Sequence, residues 1–225
     1  MTRQLAFDLP AQEAWRREDF FVSPANELAL SAIDDWQNWA GGKMVLVGPD
    51  GAGKTHLAHL WAERSGAVIV AAETLADADL PGLAAAGAVA VEDADLVAGN
   101  ATAEEALFHL HNLLVPQGHL LVTATRPVRD WGLHLPDLRS RMDAAAVTRL
   151  DPPDDALLSA VLVKLFADRQ VSVPASLIPW IVTRMERSLS TARRLVAALD
   201  ARALAEGKPI SRTMAAALLD SGDTE

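Results

Sequence analysis

Gly48-Pro49-Asp50-Gly51-Ala52-Gly53-Lys54-Thr55 decides how this chain folds. The stretch matches G-x-x-x-x-G-K-[ST]; it follows an apolar run at 44–47 and precedes a segment whose Leu57, Ala58 and Trp61 share one helical face. A strand that turns through glycines into a helix aims backbone N–H groups at phosphate oxygens. Lys54 adds a point charge for the β and γ oxygens, and the Thr55 hydroxyl a ligand for Mg²⁺. The candidate contacts to ADP or ATP are therefore Gly48, Pro49, Asp50, Gly51, Ala52, Gly53, Lys54 and Thr55, with the adjoining His56.

Outward from the loop, short apolar runs at 67–71, 88–91, 119–123 and 145–150 alternate with the amphipathic stretches 55–64 and 103–114. Strand and helix taking turns over short connections predict a parallel sheet covered on both faces, so the fold class is α/β. The run 88–91 ends on Glu92-Asp93, which supplies the second acidic site a phosphate-binding loop needs to hold the magnesium water shell. Upstream, Leu28, Ala29, Ile33, Trp36 and Trp39 recur at helical spacing, which predicts a helix over 26–39 capped by Asn26. Downstream, Asp151-Pro152-Pro153-Asp154 ends the strand pattern: two prolines stop any strand and two aspartates favour a helix start. Beyond it the period is helical over 156–168, 176–187, 191–206 and 211–219. The expected organisation is an N-terminal arm over 1–20, a nucleotide-binding α/β base over 21–151 and a small all-α domain over 152–225.

Twenty basic against thirty acidic residues leave a formal charge of −10 over 225 residues, half of them apolar, with no cysteine. An acidic chain is unsuited to a main role in neutralising nucleic-acid phosphates. The lack of cysteine excludes disulfides, zinc ribbons, iron–sulfur clusters and thiol catalysis. The longest apolar run, residues 83–91, is about half a membrane span, and the basic N-terminal stretch leads into no apolar signal region. A cytoplasmic protein with no membrane partner is expected. His56, His59 and Glu63 share a face of the helix after the loop, which reads as a solvated polar face rather than a metal site.

The order and spacing of these segments resemble the bacterial DnaA-type AAA+ family along nearly the whole chain. Phe21-Val22-Ser23-Pro24-Ala25-Asn26 resembles the segment beside the adenine base. The loop at 48–55 and the acids at 92–93 resemble Walker A and Walker B, and Thr123-Ala124-Thr125-Arg126-Pro127 resembles sensor 1. Leu138-Arg139-Ser140-Arg141 resembles the arginine-finger segment with Arg141 in the finger position, and Ala192-Arg193-Arg194-Leu195 resembles sensor 2 with Arg193 on the sensor arginine. The resemblance implies an AAA+ parallel-sheet base under an all-α lid. It also implies a nucleotide contacted by Asn26 and Arg193, and hydrolysis machinery at Asp93, Glu92 and Thr125, with Thr55 and Glu92 toward magnesium through water. Locally, Arg141 could instead pair with Asp137 or Asp143, and Arg193 with Asp200 or Glu186.

Arg3-Gln4-Leu5-Ala6-Phe7-Asp8-Leu9-Pro10 resembles the clamp-binding peptide of the Hda-like regulators of DnaA. That resemblance implies that Gln4, Leu5, Phe7 and Leu9 enter a pocket on the DNA-sliding clamp, the polymerase III β subunit. With neither the initiator's longer N-terminal domain nor its helix-turn-helix domain in the sequence, a regulator is expected rather than a complete initiator. Its partners would be DnaA, the clamp, DNA indirectly through the clamp, and a second copy of the chain. Two departures touch hydrolysis: Glu92 and Thr125 stand where the family usually has aspartates. Glutamate's extra methylene displaces its oxygens by more than an ångström, which predicts weak turnover by the chain itself. Two other classes stay open, an autonomous AAA+ ATPase loading or remodelling DNA or protein, and a non-enzymatic scaffold.

Overall fold

The computed structural model describes residues 17–114 and 117–220. Five strands form one parallel sheet: β1 (Lys43–Val47), β2 (Val68–Ala71), β3 (Ala88–Glu92), β4 (His119–Ala124) and β5 (Ala146–Arg149), in the order β2-β3-β4-β1-β5. β1 lies centrally, with Val45 level with Val122 of β4 and Val147 of β5. Between β1 and β2 the chain crosses over two intervening strands, so the carboxyl end of β1 opens at the point where strand order reverses, where α/β sheets receive ligands.

Alternation along the strands builds two cores. Val45, Val47, Val89, Val91, Leu120 and Val122 face α4 (Ala101–Leu114) and α5 (Pro136–Asp143) through Leu107, Leu110, Leu138 and Met142. Met44, Leu46, Ala88, Ala90 and Leu121 face α1 (Glu27–Asp34) and α2 (Lys54–Ser65) through Ile33, Leu57 and Trp61. A third cluster joins α6 (Asp155–Asp168), α7 (Leu177–Val182), α8 (Leu189–Glu206) and α9 (Arg212–Asp220) around Leu158, Leu162, Phe166, Ile181, Leu195 and Leu199. α6 starts where the aspartates predict it: the Asp154 carboxylate accepts from Leu157 N at 2.7 Å. Among the described residues no helix is long and apolar enough to cross a membrane.

Two elements differ from the sequence pattern. The helix predicted over 26–39 stops at Asp34, and a 3-10 turn follows over Trp36–Asn38. The Trp39 indole N–H donates to Ala32 O at 2.8 Å, taking the carbonyl that one more α-turn would use. Asn26 precedes α1 without a side-chain cap; its amide is spent on Phe21 O and Ser23 N, both at 2.9 Å. The helix predicted over 176–187 is confined to Leu177–Val182, because the chain must leave it for Ser188 to cap α8 through Thr191 N at 3.2 Å. The apolar run 83–91 belongs to two elements, the end of α3 (Leu80–Ala85) and all but the last residue of β3, divided at Gly87.

Candidate functional site

A cleft of about 410 Å³ opens beyond the carboxyl end of β1, lined by Asp50, Gly51, Gly53, Lys54, Thr55 and His56 from the loop and α2, by Asp93, and by Leu189, Ser190, Arg193 and Arg194 from α8. Sheet base and helical segment thus wall one site together. The loop is joined directly to α8, since Leu189 N donates to Gly51 O at 2.7 Å. Gly51 has φ +70, and a Cβ there would run into the Ser188 hydroxyl. Gly51→Ala therefore has both a left-handed backbone and a steric conflict to absorb. It is expected to lower thermal stability by about 1–3 kcal/mol and weaken nucleotide binding, read by melting and by titration with a fluorescent nucleotide. An unchanged melt would mean that the α8 contact does not constrain the loop.

Lys54 is nearly buried, and its Nζ donates to Gly48 O at 2.9 Å and Pro49 O at 3.3 Å, with Asp50 Oδ1 at 3.5 Å. The ammonium is held at the mouth of the loop with its stem covered. Asp93 follows β3 at φ +52, a left-handed backbone that aspartate tolerates better than most residues, and its N–H donates to Thr123 Oγ1 at 3.0 Å. Burial pushes the Asp93 carboxyl up; Lys54 pulls it down, and Asp95, Asp50 and Glu73 add to the rise. A cation would relieve that carboxylate. Glu92 does not line the cleft, yet its Oε1 is buried without a hydrogen-bond partner. Thr55 and Asp93 line the cleft with hard oxygen donors of the kind that suit Mg²⁺. No group of three or more His, Cys, Asp or Glu side chains positioned for a metal occurs among the described residues.

Asn26, 3% exposed, stands outside the cleft lining and orders the turn over 21–26. His56 lines the cleft and meets Phe20 edge-on at 5.1 Å. Thr125 is exposed, but its hydroxyl and N–H both go to the buried carboxylate of Asp95, and Arg126 Nε lies 3.6 Å from the same group. Sequence reasoning passed over Asp95; its position three residues beyond Glu92 carries no signal without knowing that β3 and β4 are neighbours. Of the alternative ion pairs, Asp143 is taken by Arg139 at 3.7 Å and Asp200 by Arg169 at 3.9 Å. Arg141 is exposed in the last turn of α5 and lies outside the cleft lining. Its charge is felt instead at Lys43, the first residue of β1, and at His111 of α4, whose side chains meet at 3.1 Å. Desolvation first, and Arg141 in addition, lower the affinity of both for protons. Gln4, Leu5, Phe7 and Leu9 lie outside the described residues.

No family model matches the chain. In sequence it is 24% identical, over 92% of its length, to the chromosomal replication initiator protein DnaA of Thermomicrobium roseum, and spans about half (49%) of that relative's length. In structure it overlays domain III of Thermotoga maritima DnaA with a TM-score of 0.77 at 19% identity, covering 94% of this chain and 98% of that one. The chain is similar in sequence to a DnaA initiator and shares the fold of DnaA domain III. The AMPPCP-bound DnaA of Aquifex aeolicus overlays this chain with a TM-score of 0.68 at 16% identity, over 84% of this chain and 65% of that one. A variant of Thermotoga maritima RuvB gives 0.63 at 20% identity over 86% and 66%, so the two share this fold.

Proposed function

We propose that this DnaA-type chain is a nucleotide-bound regulator of replication initiation that promotes hydrolysis of ATP held by the initiator. The cleft takes ADP or ATP, with phosphates on the loop N–H groups and Lys54, and with Arg193 closing from α8. Thr55 and Asp93 would hold magnesium through its water shell from the cleft wall, with Glu92 behind them at the end of β3. The AMPPCP in the Aquifex aeolicus relative supports the nucleotide. The observation that carries the regulatory reading is the position of Arg141: exposed on α5, outside its own cleft, and available to another molecule's phosphates. In this reading Arg141 acts in trans on ATP-bound DnaA, while the chain's own turnover is weak because Thr125 is committed to Asp95. The experiment is turnover of initiator-bound ATP on clamp-loaded DNA, with and without this protein. Acceleration dependent on the chain supports the reading; strong DNA-stimulated turnover by the chain alone would replace it with an autonomous ATPase.

The arm contributes location. Replacing Gln4 and Leu5 by alanine is expected to abolish retention on the sliding clamp, a contact of about −8 kcal/mol at micromolar affinity, and to leave nucleotide affinity unchanged. Retention of the double variant at the wild-type level would remove the clamp from the proposal.

A further inference from the structure

Glu104, in the first turn of α4, is a buried carboxylate outside the cleft lining, and it is met chiefly by backbone N–H groups, with one exposed imidazole beside it. Its side chain is 2% exposed. Oε1 accepts from Gly99 N at 3.0 Å; Oε2 accepts from His134 N at 2.9 Å and Leu135 N at 2.7 Å, with the exposed His134 Nδ1 3.5 Å from Oε1. Burial alone would push this carboxyl up, but the N–H bonds from Leu135, Gly99 and His134 outweigh it and hold the group below the usual carboxylate range. It is an anion whose charge is satisfied by backbone from two separate loops.

Those loops matter because of what they carry. Gly99 follows the 3-10 segment Ala94–Val97, which contains Asp95 and through it grips Thr125. His134 and Leu135 immediately precede Pro136, the start of α5. Leu135 is held from both sides: its N–H goes to Glu104, and its carbonyl accepts the opening hydrogen bond of α5 from Arg139 N at 3.1 Å. α5 has only 8 residues, too short to hold its place by helix propensity. Its orientation is set by Leu138 and Met142 in the core and by the grip on its first turn. A helix of that length spans about 12 Å, so a tilt of about 5° at its start moves its end by about 1 Å.

We propose that Glu104 is a positioning residue for Arg141: it locks the start of α5 so that the exposed arginine at the other end is presented at a fixed angle to the partner's phosphates. This rests on the trans-acting reading of Arg141. The same carboxylate ties the loop behind Asp95 to the loop ahead of α5, so the segment that orders Thr125 and the helix that presents Arg141 share one anchor.

The test is Glu104→Gln in the full chain, which keeps the shape but turns an N–H group toward N–H donors. Amide hydrogen exchange over residues 134–143 is expected to quicken at least about tenfold, with α2 and α8 unchanged, as fits local rather than global opening. Stimulated turnover of initiator-bound ATP is expected to fall about 10²-fold at saturating partner, the cost of misplacing a reacting group by about 1 Å, while the half-saturating concentration stays the same. In an Arg141→Ala background Glu104→Gln is expected to cost nothing further, because both act on one contact. Unchanged exchange over 134–143 overturns the anchoring. Quickened exchange with undiminished turnover, or a full further loss in the Arg141→Ala background, overturns the positioning role. If Arg141→Ala itself leaves turnover intact while the exchange change holds, the trans-acting reading fails and the anchor stands. Should Glu104→Gln not fold, Glu104→Asp keeps the charge with a shorter reach, and the same readouts decide between the same outcomes.

Discussion

Lys54→Ala is expected to weaken ADP and ATP binding by about 10²-fold or more, with the sheet intact. A charge-assisted contact to phosphate contributes about 3 kcal/mol, which by itself converts to about 10²-fold in dissociation constant. The side chain is 7% exposed, so its contact would be formed away from bulk water, where charge counts for more. The sequence presents Lys54 as a charge with no packing role, whereas in the fold its Nζ also bridges Gly48 O and Pro49 O. Alanine therefore removes a loop brace together with a phosphate contact. Far-ultraviolet circular dichroism and a thermal melt separate the two losses: a small drop in melting temperature with unchanged secondary structure accompanies the expected result. Nucleotide binding at wild-type affinity would show that the loop does not cradle phosphates in this chain.

The sheet was legible because its determinants are local. Valine-rich runs, a glycine loop and aspartates at helix starts each act over a few residues, and β1 and β3 formed where these predicted them. Helix lengths were less legible where a distant partner intervenes. Hydrophobic spacing over 26–39 is helical throughout, but the Trp39 indole takes the Ala32 carbonyl, a bond that depends on how the chain turns into β1. The loop residues of the cleft could be read from the motif, and Arg193 through the family pattern; the second α8 arginine lining it, Arg194, carries no signal in that pattern. Asp95 and Glu104 could not be read at all. Each is an ordinary acid in a helical or turn context, and what distinguishes it is a contact across 30 residues that exists only once β3, β4 and α5 have packed. Asn26 shows the converse. It suits both a helix cap and an adenine neighbour by pattern, yet its amide goes to the local backbone at Phe21 and Ser23.

Arg141→Ala is expected to abolish stimulation of the initiator's ATP hydrolysis while leaving nucleotide binding, clamp binding and the fold unchanged. In phosphoryl transfer, negative charge spreads over the γ-phosphate oxygens, and an arginine supplied by a neighbouring molecule stabilises it by about 10³–10⁵ in rate, or roughly 4–7 kcal/mol. Folding should be indifferent to the change, since the side chain is exposed and α5 is held by Leu138, Met142 and Glu104 instead. Its truncation also removes a positive charge that lowers the proton affinity of Lys43 and His111. Lysine at 141 keeps that charge and so separates electrostatics from geometry. It is expected not to restore stimulation, because one ammonium cannot reproduce the planar two-toothed contact of a guanidinium with phosphate. Single-turnover hydrolysis of labelled ATP preloaded on the initiator, with clamp-loaded DNA and this protein at saturation, measures the step directly. An autonomous ATPase would instead lose its own turnover, since its fingers act between its own copies, and a scaffold would show no catalytic change. Wild-type hydrolysis by the initiator in the presence of Arg141→Ala, with clamp and nucleotide still bound, would remove the trans-acting role from this residue.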